Sequence, residues 1–301
     1  MKIFVTGATG YIGFEVASAL RRAGYEVWGL ARSPEKATAL AAAEIHPVVG
    51  TLQDPGDWRE AAEECSVLVH AAADSQGDTL AVDAATVDVL LAAARLGPQP
   101  TTLVYTSGVW VYGSSGDKLV DETSPTNPMR MVSRRPATER KILNTDGIRA
   151  LVVRPGCVYG RRGGLTGMWF HGAANERALG CIGDGSNRWA MVHVDDLADL
   201  YVRLIDTGIA GEVFNATDRS RATVSEMVRA VARVTGFAGE IRHVPLKEAH
   251  EAMGDFAECL AVDQHVDSRK AVRRLGWQPR HGGFVDGAAT YFEAWKALQA
   301  T

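Results

Sequence analysis

The chain opens with Met1-Lys2-Ile3-Phe4-Val5-Thr6-Gly7-Ala8-Thr9-Gly10-Tyr11-Ile12-Gly13. The apolar, β-branched run at residues 2–6 predicts a buried strand, and three glycines follow at a spacing of three. Residues 14–22 then have the apolar pattern of a helix that packs on a sheet, and Gly24 is placed to end that helix. A second apolar run at residues 25–30 completes a unit of strand, glycine turn, helix and strand.

This unit is the context in which a glycine triplet binds a dinucleotide. Glycine permits a tight turn and the close approach of a pyrophosphate, while the helix N-terminus supplies free N–H groups and a positive dipole end. We therefore expect Gly7, Gly10 and Gly13 to form a dinucleotide cradle at the end of the first strand. The alternative is an ordinary glycine-rich turn between a strand and a helix.

Five further motifs follow along nearly the whole chain. They are Val69-His70-Ala71-Ala72-Ala73, the run from Leu103 to Gly113, Val153-Arg154-Pro155-Gly156-Cys157-Val158-Tyr159-Gly160, Val192-His193-Val194-Asp195-Asp196 and Leu275-Gly276-Trp277-Gln278-Pro279. Together with the glycine triplet, they resemble the short-chain dehydrogenase/reductase superfamily, in its extended, NAD-dependent epimerase/dehydratase-like branch. The resemblance implies an α/β fold with a Rossmann-type, doubly wound parallel sheet and a smaller C-terminal substrate lobe.

The alternation of strand and helix patterns continues to about residue 155, after which the sequence becomes irregular and rich in glycine. We therefore predict an NAD(P)-binding Rossmann domain at residues 1–155, with residues 190–215 returning to it. Residues 156–189 and 216–301 are predicted to form the smaller substrate-binding lobe. The ligand is expected at the carboxyl ends of the strands, where the loops and the lobe meet.

The composition argues against several kinds of partner. A net charge of −4 gives no support for binding to nucleic acid or to an anionic membrane. The first residues predict a strand rather than a signal peptide, and no apolar run approaches the ~18 residues of a membrane-spanning helix. The four widely spaced cysteines and the scattered histidines predict reduced thiols in a cytoplasmic protein with no metal site.

Residues 79–95 predict a helix that is apolar almost all round. Such a helix needs cover on more than one face. It is either a core helix between the sheet and neighbouring helices or the interface of a homodimer, which the family resemblance favours.

The end of the second strand decides between NAD and NADP, because NAD binders carry an acidic residue there that bonds the ribose hydroxyls. Here the corresponding residue is Ala31, followed by Arg32 and Ser33. Arg32 can pair with a 2′-phosphate and Ser33 can donate a further hydrogen bond. We therefore predict NADP(H), with NAD(H) as the alternative. Arg32 is otherwise a surface residue, with Ser33 starting a helix.

The resemblance also implies which residues contact the cofactor. They are Gly7, Thr9, Gly10, Tyr11, Ile12, Gly13, Arg32, Ser33, Leu52, Ala71, Ala72, Ala73, Thr106, Arg135, Pro155, Gly156 and Val158.

The chain departs from the family at the catalytic tyrosine and lysine. Aligning Glu139 with the family's glutamate puts Arg135 at the lysine and Met131 at the tyrosine. Methionine cannot transfer a proton, and arginine keeps a permanent charge. Pro136 predicts a helix start between Ser133 and Pro136, with Ser133 as a candidate N-cap and Met131 in the preceding loop.

The family's catalytic serine is replaced as well. Aligning Val111-Tyr112-Gly113 puts Gly108 at that position, with Ser107 one place earlier. If the protein is a reductase, the proton comes from another residue, from water or from the substrate. Candidate catalytic residues are Ser107, Tyr112, Arg135 and His193. For Tyr112 and His193 the competing interpretation is a packed structural residue.

Aromatic residues and methionines near residues 163–191 favour a small hydrophobic or aromatic substrate. They equally suit an ordinary lobe core, and Arg161, Arg162 and Arg188 keep an anionic substrate open. Three functions follow from the sequence: an NADP-dependent reductase with a non-standard proton donor, a nucleotide-sugar epimerase or dehydratase, and a non-catalytic NADP-binding regulator.

Overall fold

The computed structural model describes residues 1–73, 79–176 and 178–299. The strands are β1 (Lys2–Thr6), β2 (Glu26–Ala31), β3 (His46–Val49), β4 (Val67–His70), β5 (Thr102–Thr106), β6 (Leu119–Val120), β7 (Arg149–Pro155), β8 (Cys157–Tyr159), β9 (Leu179–Ile182), β10 (Met191–His193), β11 (Glu212–Ala216), β12 (Ile241–Val244) and β13 (His265–Val266). The α-helices are α1 (Tyr11–Arg22), α2 (Pro34–Ala42), α3 (Arg59–Glu63), α4 (Thr79–Leu96), α5 (Arg135–Leu143), α6 (Gly167–His171), α7 (Val194–Thr207), α8 (Val224–Thr235), α9 (Leu246–Met253), α10 (Asp255–Leu260), α11 (Arg269–Leu275) and α12 (Phe284–Gln299).

A seven-stranded sheet forms the centre of the molecule, in the order β11-β7-β5-β4-β1-β2-β3. Its paired strands are parallel; Ile3 in β1, for example, lies opposite Val27 in β2 and Val67 in β4. The order reverses between β1 and β4, which opens a crevice at the carboxyl ends of these strands. The predicted Rossmann-type, doubly wound fold is therefore confirmed.

Both faces of this sheet are buried, because side chains alternate along each strand. Ile3 and Val5 belong to the core formed with α1 and α7. Phe4, between them, belongs to the opposite core and stacks on Trp58 at 5.8 Å. The strands predicted from apolar runs in the sequence are therefore buried on both faces of the sheet.

The helix boundaries near the N-terminus follow the sequence signals. Helix α1 ends at Arg22 with Ala23 as its C-cap, and Gly24 takes a φ of +92°, as its predicted place after the helix requires. Ser33 caps α2 by accepting a 3.4 Å hydrogen bond from the Lys36 N–H.

Helix α4 buries Val87 and Leu90 in the core with β5, whereas Leu96 is exposed. The predicted homodimer stays a prediction.

The smaller lobe is built on the parallel pair β9 and β12, covered by α8 and α12. Its core contains stacked indole rings of Trp169 and Trp189, 5.0 Å apart. Both tryptophans belong to the lobe core and also line a cavity of about 520 Å³. The hydrophobic substrate therefore stays a prediction. Both indole N–H groups donate to backbone carbonyls, of Gly180 and Leu260.

One segment lies outside its predicted lobe. Leu275 and Trp277 belong to the core of the large domain, although the predicted division placed residues 216–301 in the small lobe. The Trp277 Nε1 donates to the Asp196 carbonyl at 2.8 Å, and the Asp196 carboxylate accepts from the N–H groups of Arg280 and His281. The Val-His-Val-Asp-Asp and Leu-Gly-Trp motifs therefore meet, which ties this segment to α7.

Among the helices in the described part of the chain, none has the length and apolarity needed to cross a bilayer. The cysteines Cys65, Cys157, Cys181 and Cys259 are all buried and free.

Candidate functional site

The three predicted cradle glycines lie where side chains would not fit. Gly7 has a φ of +74°, and a Cβ there would lie 2.6 Å from both the Ala71 carbonyl oxygen and the Ala72 nitrogen. A Cβ on Gly13 would overlap the Gly7 carbonyl oxygen. The Gly10 N–H donates to that same oxygen at 2.8 Å, which closes the turn. The ends of β1 and β4 and the start of α1 thus approach closely enough to expose backbone to a ligand.

Helix α1 points its N-terminus at this turn. Gly10 is its N-cap without a side-chain hydrogen bond, and its first turn carries no acidic residue. The positive end of the helix dipole therefore remains available for an anion. The residues present fit the pyrophosphate of a dinucleotide.

Beside the cradle, a cavity of about 440 Å³ opens at the carboxyl ends of β4, β5 and β7. The predicted site residues that line it are Tyr11, Ile12, Ala71, Ala72, Ala73, Thr106, Ser107, Arg135, Pro155, Gly156 and Val158. The structure thus brings together the predicted nicotinamide-side residues and two of the four candidate catalytic residues.

Further lining residues were not predicted, and most of them are apolar. They are Gly108, Val109, Trp110, Val132, Cys157, Gly164, Leu165 and Phe256. Val109, Trp110 and Cys157 lie within sequence motifs that also contain residues predicted to contact the cofactor. Their position near the site could therefore have been predicted from the sequence. Phe256 comes from α10, far along the chain, and packs edge-on against Trp110 at 6.2 Å. Only the tertiary fold reveals that contact.

Arg135 and Ser107 are linked at the wall of the cavity. The Arg135 Nη1 donates to the Ser107 main-chain carbonyl at 2.5 Å. Ser107 is 4 % exposed, and its Oγ has no hydrogen-bond partner among the described residues. A Cβ on Gly108 would lie 3.2 Å from the same Arg135 nitrogen. Glycine at the family's serine position therefore leaves room for a guanidinium at the family's lysine position.

Helix α5 begins at Arg135 with Pro136 in its first turn, as predicted. The prediction of Ser133 as its N-cap is wrong, since Arg134 takes that position. Ser133 has helical φ and ψ of −58° and −29°, whereas a capping serine needs an extended backbone to reach the next N–H groups. Met131 lies in a short 3-10 turn, is 46 % exposed and does not line the cavity.

Tyr112 is not among the lining residues of the cavity. Its hydroxyl donates to Asn215 Oδ1 at 2.9 Å and accepts from Arg154 Nη1 at 2.7 Å. The same Arg154 forms a buried two-point ion pair with Glu139. Burial raises the pKa of Tyr112 to about 12. The contacts favour the packed structural tyrosine over a proton donor.

His193 also lies away from the cavity. It is the N-cap of α7, where its Nδ1 accepts from the Asp195 N–H at 3.1 Å, and its ring stacks on His281 at 3.6 Å. Burial and the neighbouring His281 lower the pKa of His193 to about 4. The imidazoles and the Asp195 carboxylate lie close together, but stacked rings do not direct their lone pairs at one ion. The contacts favour a structural histidine.

The remaining predicted cofactor residues lie outside the cavity lining. Arg32 is exposed directly after β2, and Ser33 caps α2. Leu52 packs partly buried against the core around Trp58, and Thr9 lies in the glycine turn. Their contacts with a cofactor remain predictions.

The chain is similar to known proteins over most of its length. Residues 3–217 match the model of the NAD dependent epimerase/dehydratase family. The chain is 31% identical over 96% of its length to an uncharacterized protein of Schizosaccharomyces pombe, covering 99% of that protein. It is 28% identical over 84% of its length to a 4-hydroxy-2-methyl-3-oxo-4-farnesyl-3,4-dihydroquinoline-1-oxide ketoreductase of Stigmatella aurantiaca, covering 78% of that protein.

A solved structure shows the same fold. The human epimerase family protein SDR39U1 (isoform 2), crystallised with NADPH, superposes with a TM-score of 0.79 at 24% identity, over 97% of this chain and 99% of that one. The chain belongs to the NAD-dependent epimerase/dehydratase family.

Proposed function

We propose that this protein is an NADP-dependent reductase that acts on a small apolar carbonyl compound or a related double bond. The supporting observation is that one cavity is lined both by the predicted nicotinamide-side residues and by an apolar wall that includes Trp110, Val132 and Phe256. A relative named as a ketoreductase supports the same direction.

The chain's own residues would hold the cofactor in three places. Gly7, Gly10 and Gly13 would face the pyrophosphate, Arg32 the 2′-phosphate, and Arg135 the nicotinamide end. When bound, NADPH supplies the hydride.

Arg135 and Ser107 are the polar groups best placed to act on a substrate carbonyl. Arg135 carries a permanent positive charge, and its bond to the Ser107 carbonyl fixes that charge at the cavity wall. A fixed cation there stabilises negative charge that develops on a carbonyl oxygen. The Ser107 Oγ is buried and has no hydrogen-bond partner among the described residues, so Ser107 contributes through its carbonyl, which holds the guanidinium.

Among the described residues, those that line the cavity include neither a histidine nor a carboxylate. The Tyr11 hydroxyl donates to the Gly160 carbonyl at 2.8 Å, and burial raises the pKa of the Cys157 thiol to about 12. Neither group is suited to release a proton near neutral pH. We therefore propose that water or a substrate hydroxyl supplies the proton.

Epimerase or dehydratase activity on a nucleotide sugar fits this cavity less well. Such chemistry needs a base at the sugar hydroxyl, and Met131 replaces the family's tyrosine. The apolar wall also offers few hydrogen-bonding groups to a sugar.

The experiment is to incubate the protein with NADPH and acetophenone, 1-tetralone or menadione and to follow the loss of NADPH absorbance. A reductase consumes NADPH with at least one compound and forms the matching alcohol or hydroquinone. Tight NADPH binding without turnover of any compound would instead identify the non-catalytic regulator.

A further inference from the structure

A loop of the small lobe lies directly on the cradle. The Tyr11 hydroxyl, in the first turn of α1, donates to the Gly160 carbonyl at 2.8 Å. Gly164 has a φ of +56°, and a Cβ there would lie 2.7 Å from the Tyr11 ring and overlap the Val158 carbonyl oxygen. The loop at residues 160–166 is therefore seated against the N-terminus of α1 by contacts that leave no room for a larger residue at Gly164.

This loop carries Arg162 to the glycine turn. The Arg162 Nη2 donates to the Gly10 carbonyl at 3.2 Å, and its guanidinium lies 5.1 Å from the centre of the Phe14 ring. Arg162 is exposed, and within residues 1–73, 79–176 and 178–299 it forms no ion pair with a carboxylate. A permanent cation with only a neutral partner thus lies beside the turn that fits a pyrophosphate.

The neighbouring Arg161 is held differently. Its Nε lies 2.6 Å from Asp195 Oδ1 and 3.4 Å from Glu15 Oε2. Two carboxylates therefore pair directly with Arg161, whereas Arg162 has only a longer-range attraction to Glu15 and its guanidinium is available to another anion. From the sequence, both arginines were candidates to contact an anionic substrate. In the described structure, Arg161 is ion-paired with carboxylates and Arg162 is not.

We propose that Arg162 is a cofactor-binding residue of the small lobe, whose guanidinium pairs with the pyrophosphate of the dinucleotide. This inference rests on the proposed cofactor. A charged phosphate oxygen is a stronger acceptor than the Gly10 carbonyl, so the guanidinium exchanges a neutral partner for a charge-assisted one. Because Arg162 lies on the lobe and the glycines lie on the large domain, the bound cofactor links the two.

NADPH and NADH both contain the pyrophosphate, whereas only NADPH has the 2′-phosphate. The contribution of Arg162 to binding can therefore be measured separately from that of Arg32. Isothermal titration calorimetry would give the Kd of both dinucleotides for the wild type, Arg162→Ala, Arg162→Lys and Arg22→Ala. Arg22 is an exposed arginine at the far end of α1, so its variant loses the same charge away from the cradle.

We expect Arg162→Ala to weaken both NADPH and NADH by a similar factor of about ten or more, with partial recovery in Arg162→Lys and no change in Arg22→Ala. Thermal unfolding without cofactor should match the wild type, which shows that the variants are folded. Arg162→Ala binding both dinucleotides within about twofold of wild type, or weakening NADPH alone, would overturn the inference while leaving the proposed function intact. Failure of the wild type to bind either dinucleotide would overturn both.

Discussion

The Arg135 guanidinium donates a 2.5 Å hydrogen bond to the main-chain carbonyl of Ser107. This bond fixes a permanent cation at the position where the family carries its catalytic lysine, on the wall of an apolar cavity. Gly108, at the family's serine position, leaves room for it. Gly108 and Arg135, which stand at the family's serine and lysine positions, therefore fit together sterically. The proposed chemistry depends on the bond between Arg135 and Ser107.

Removing the Arg135 charge should impair turnover more than folding. We expect Arg135→Gln to lower kcat by about 10²-fold, because the charge that would stabilise a developing oxyanion is lost from a largely apolar cavity. Steady-state kinetics with NADPH and whichever ketone proves active would measure the effect. An unchanged kcat would exclude Arg135 from the chemistry.

Adding a side chain at Gly108 tests the match with Arg135 directly. In Gly108→Ala the new Cβ would lie 3.2 Å from Arg135 Nη1, so the guanidinium must move by a few tenths of an ångström. We expect a drop in kcat with little change in stability, since the end of a flexible side chain can shift cheaply. Urea unfolding and kinetics on the same preparation would separate the two effects. Wild-type kcat in Gly108→Ala would contradict the matched arrangement.

Gly13 should tolerate no side chain. A Cβ there would overlap the Gly7 carbonyl oxygen, so α1 must move away from the cradle. We expect Gly13→Ala to lower the free energy of unfolding by ~1–3 kcal/mol and to abolish detectable NADPH binding. Gly282→Ala is the matched control, because its Cβ would lie 3.7 Å from Asp286 and make ordinary contact. Equal stability in the two variants would contradict the close approach of α1 and β1.

The choice between NADP and NAD should depend on Arg32, which is exposed and follows the buried Ala31 at the end of β2. Arg32→Asp replaces a guanidinium with a carboxylate that repels a 2′-phosphate. We expect the Kd for NADPH to rise by about 10–100-fold while that for NADH stays level or falls. The prediction fails if the wild type binds NADPH no more tightly than NADH.

His193 should make stability depend on pH. Burial and His281 lower its folded-state pKa to about 4, against a partial opposing effect of Asp195 and Asp196. The unfolded chain therefore binds this proton first, and stability is lost as the pH falls from about 6.5 to about 4. The expected loss from this group is ~2–3 kcal/mol.

The matched variant is His193→Asn, because asparagine can still cap α7 but does not titrate. Urea unfolding at several pH values should give a shallower slope for the variant in this window. An equal slope in both proteins would show that other groups cause the acid lability.

The sequence predicted the structure best where contacts are local. The contacts of Gly10 and Gly13 with Gly7 and the helix start at Arg135 each involve neighbours within a few residues, and the structure confirms them. Tyr112 illustrates the limit, because its hydroxyl is held by Asn215 and Arg154, which only the tertiary fold brings to it. The approach of Phe256 and Arg162 to the site likewise depends on how the small lobe packs on the large domain.

The most direct test of the proposed reductase follows the hydride itself. NADPH with both hydrogens at the nicotinamide C4 replaced by deuterium would be incubated with acetophenone or 1-tetralone, and the products analysed by mass spectrometry. We expect an alcohol with one deuterium bound to the former carbonyl carbon, formed about 10²-fold more slowly by Arg135→Gln. Tight NADPH binding with no deuterated alcohol formed from either ketone would contradict the proposed reductase activity.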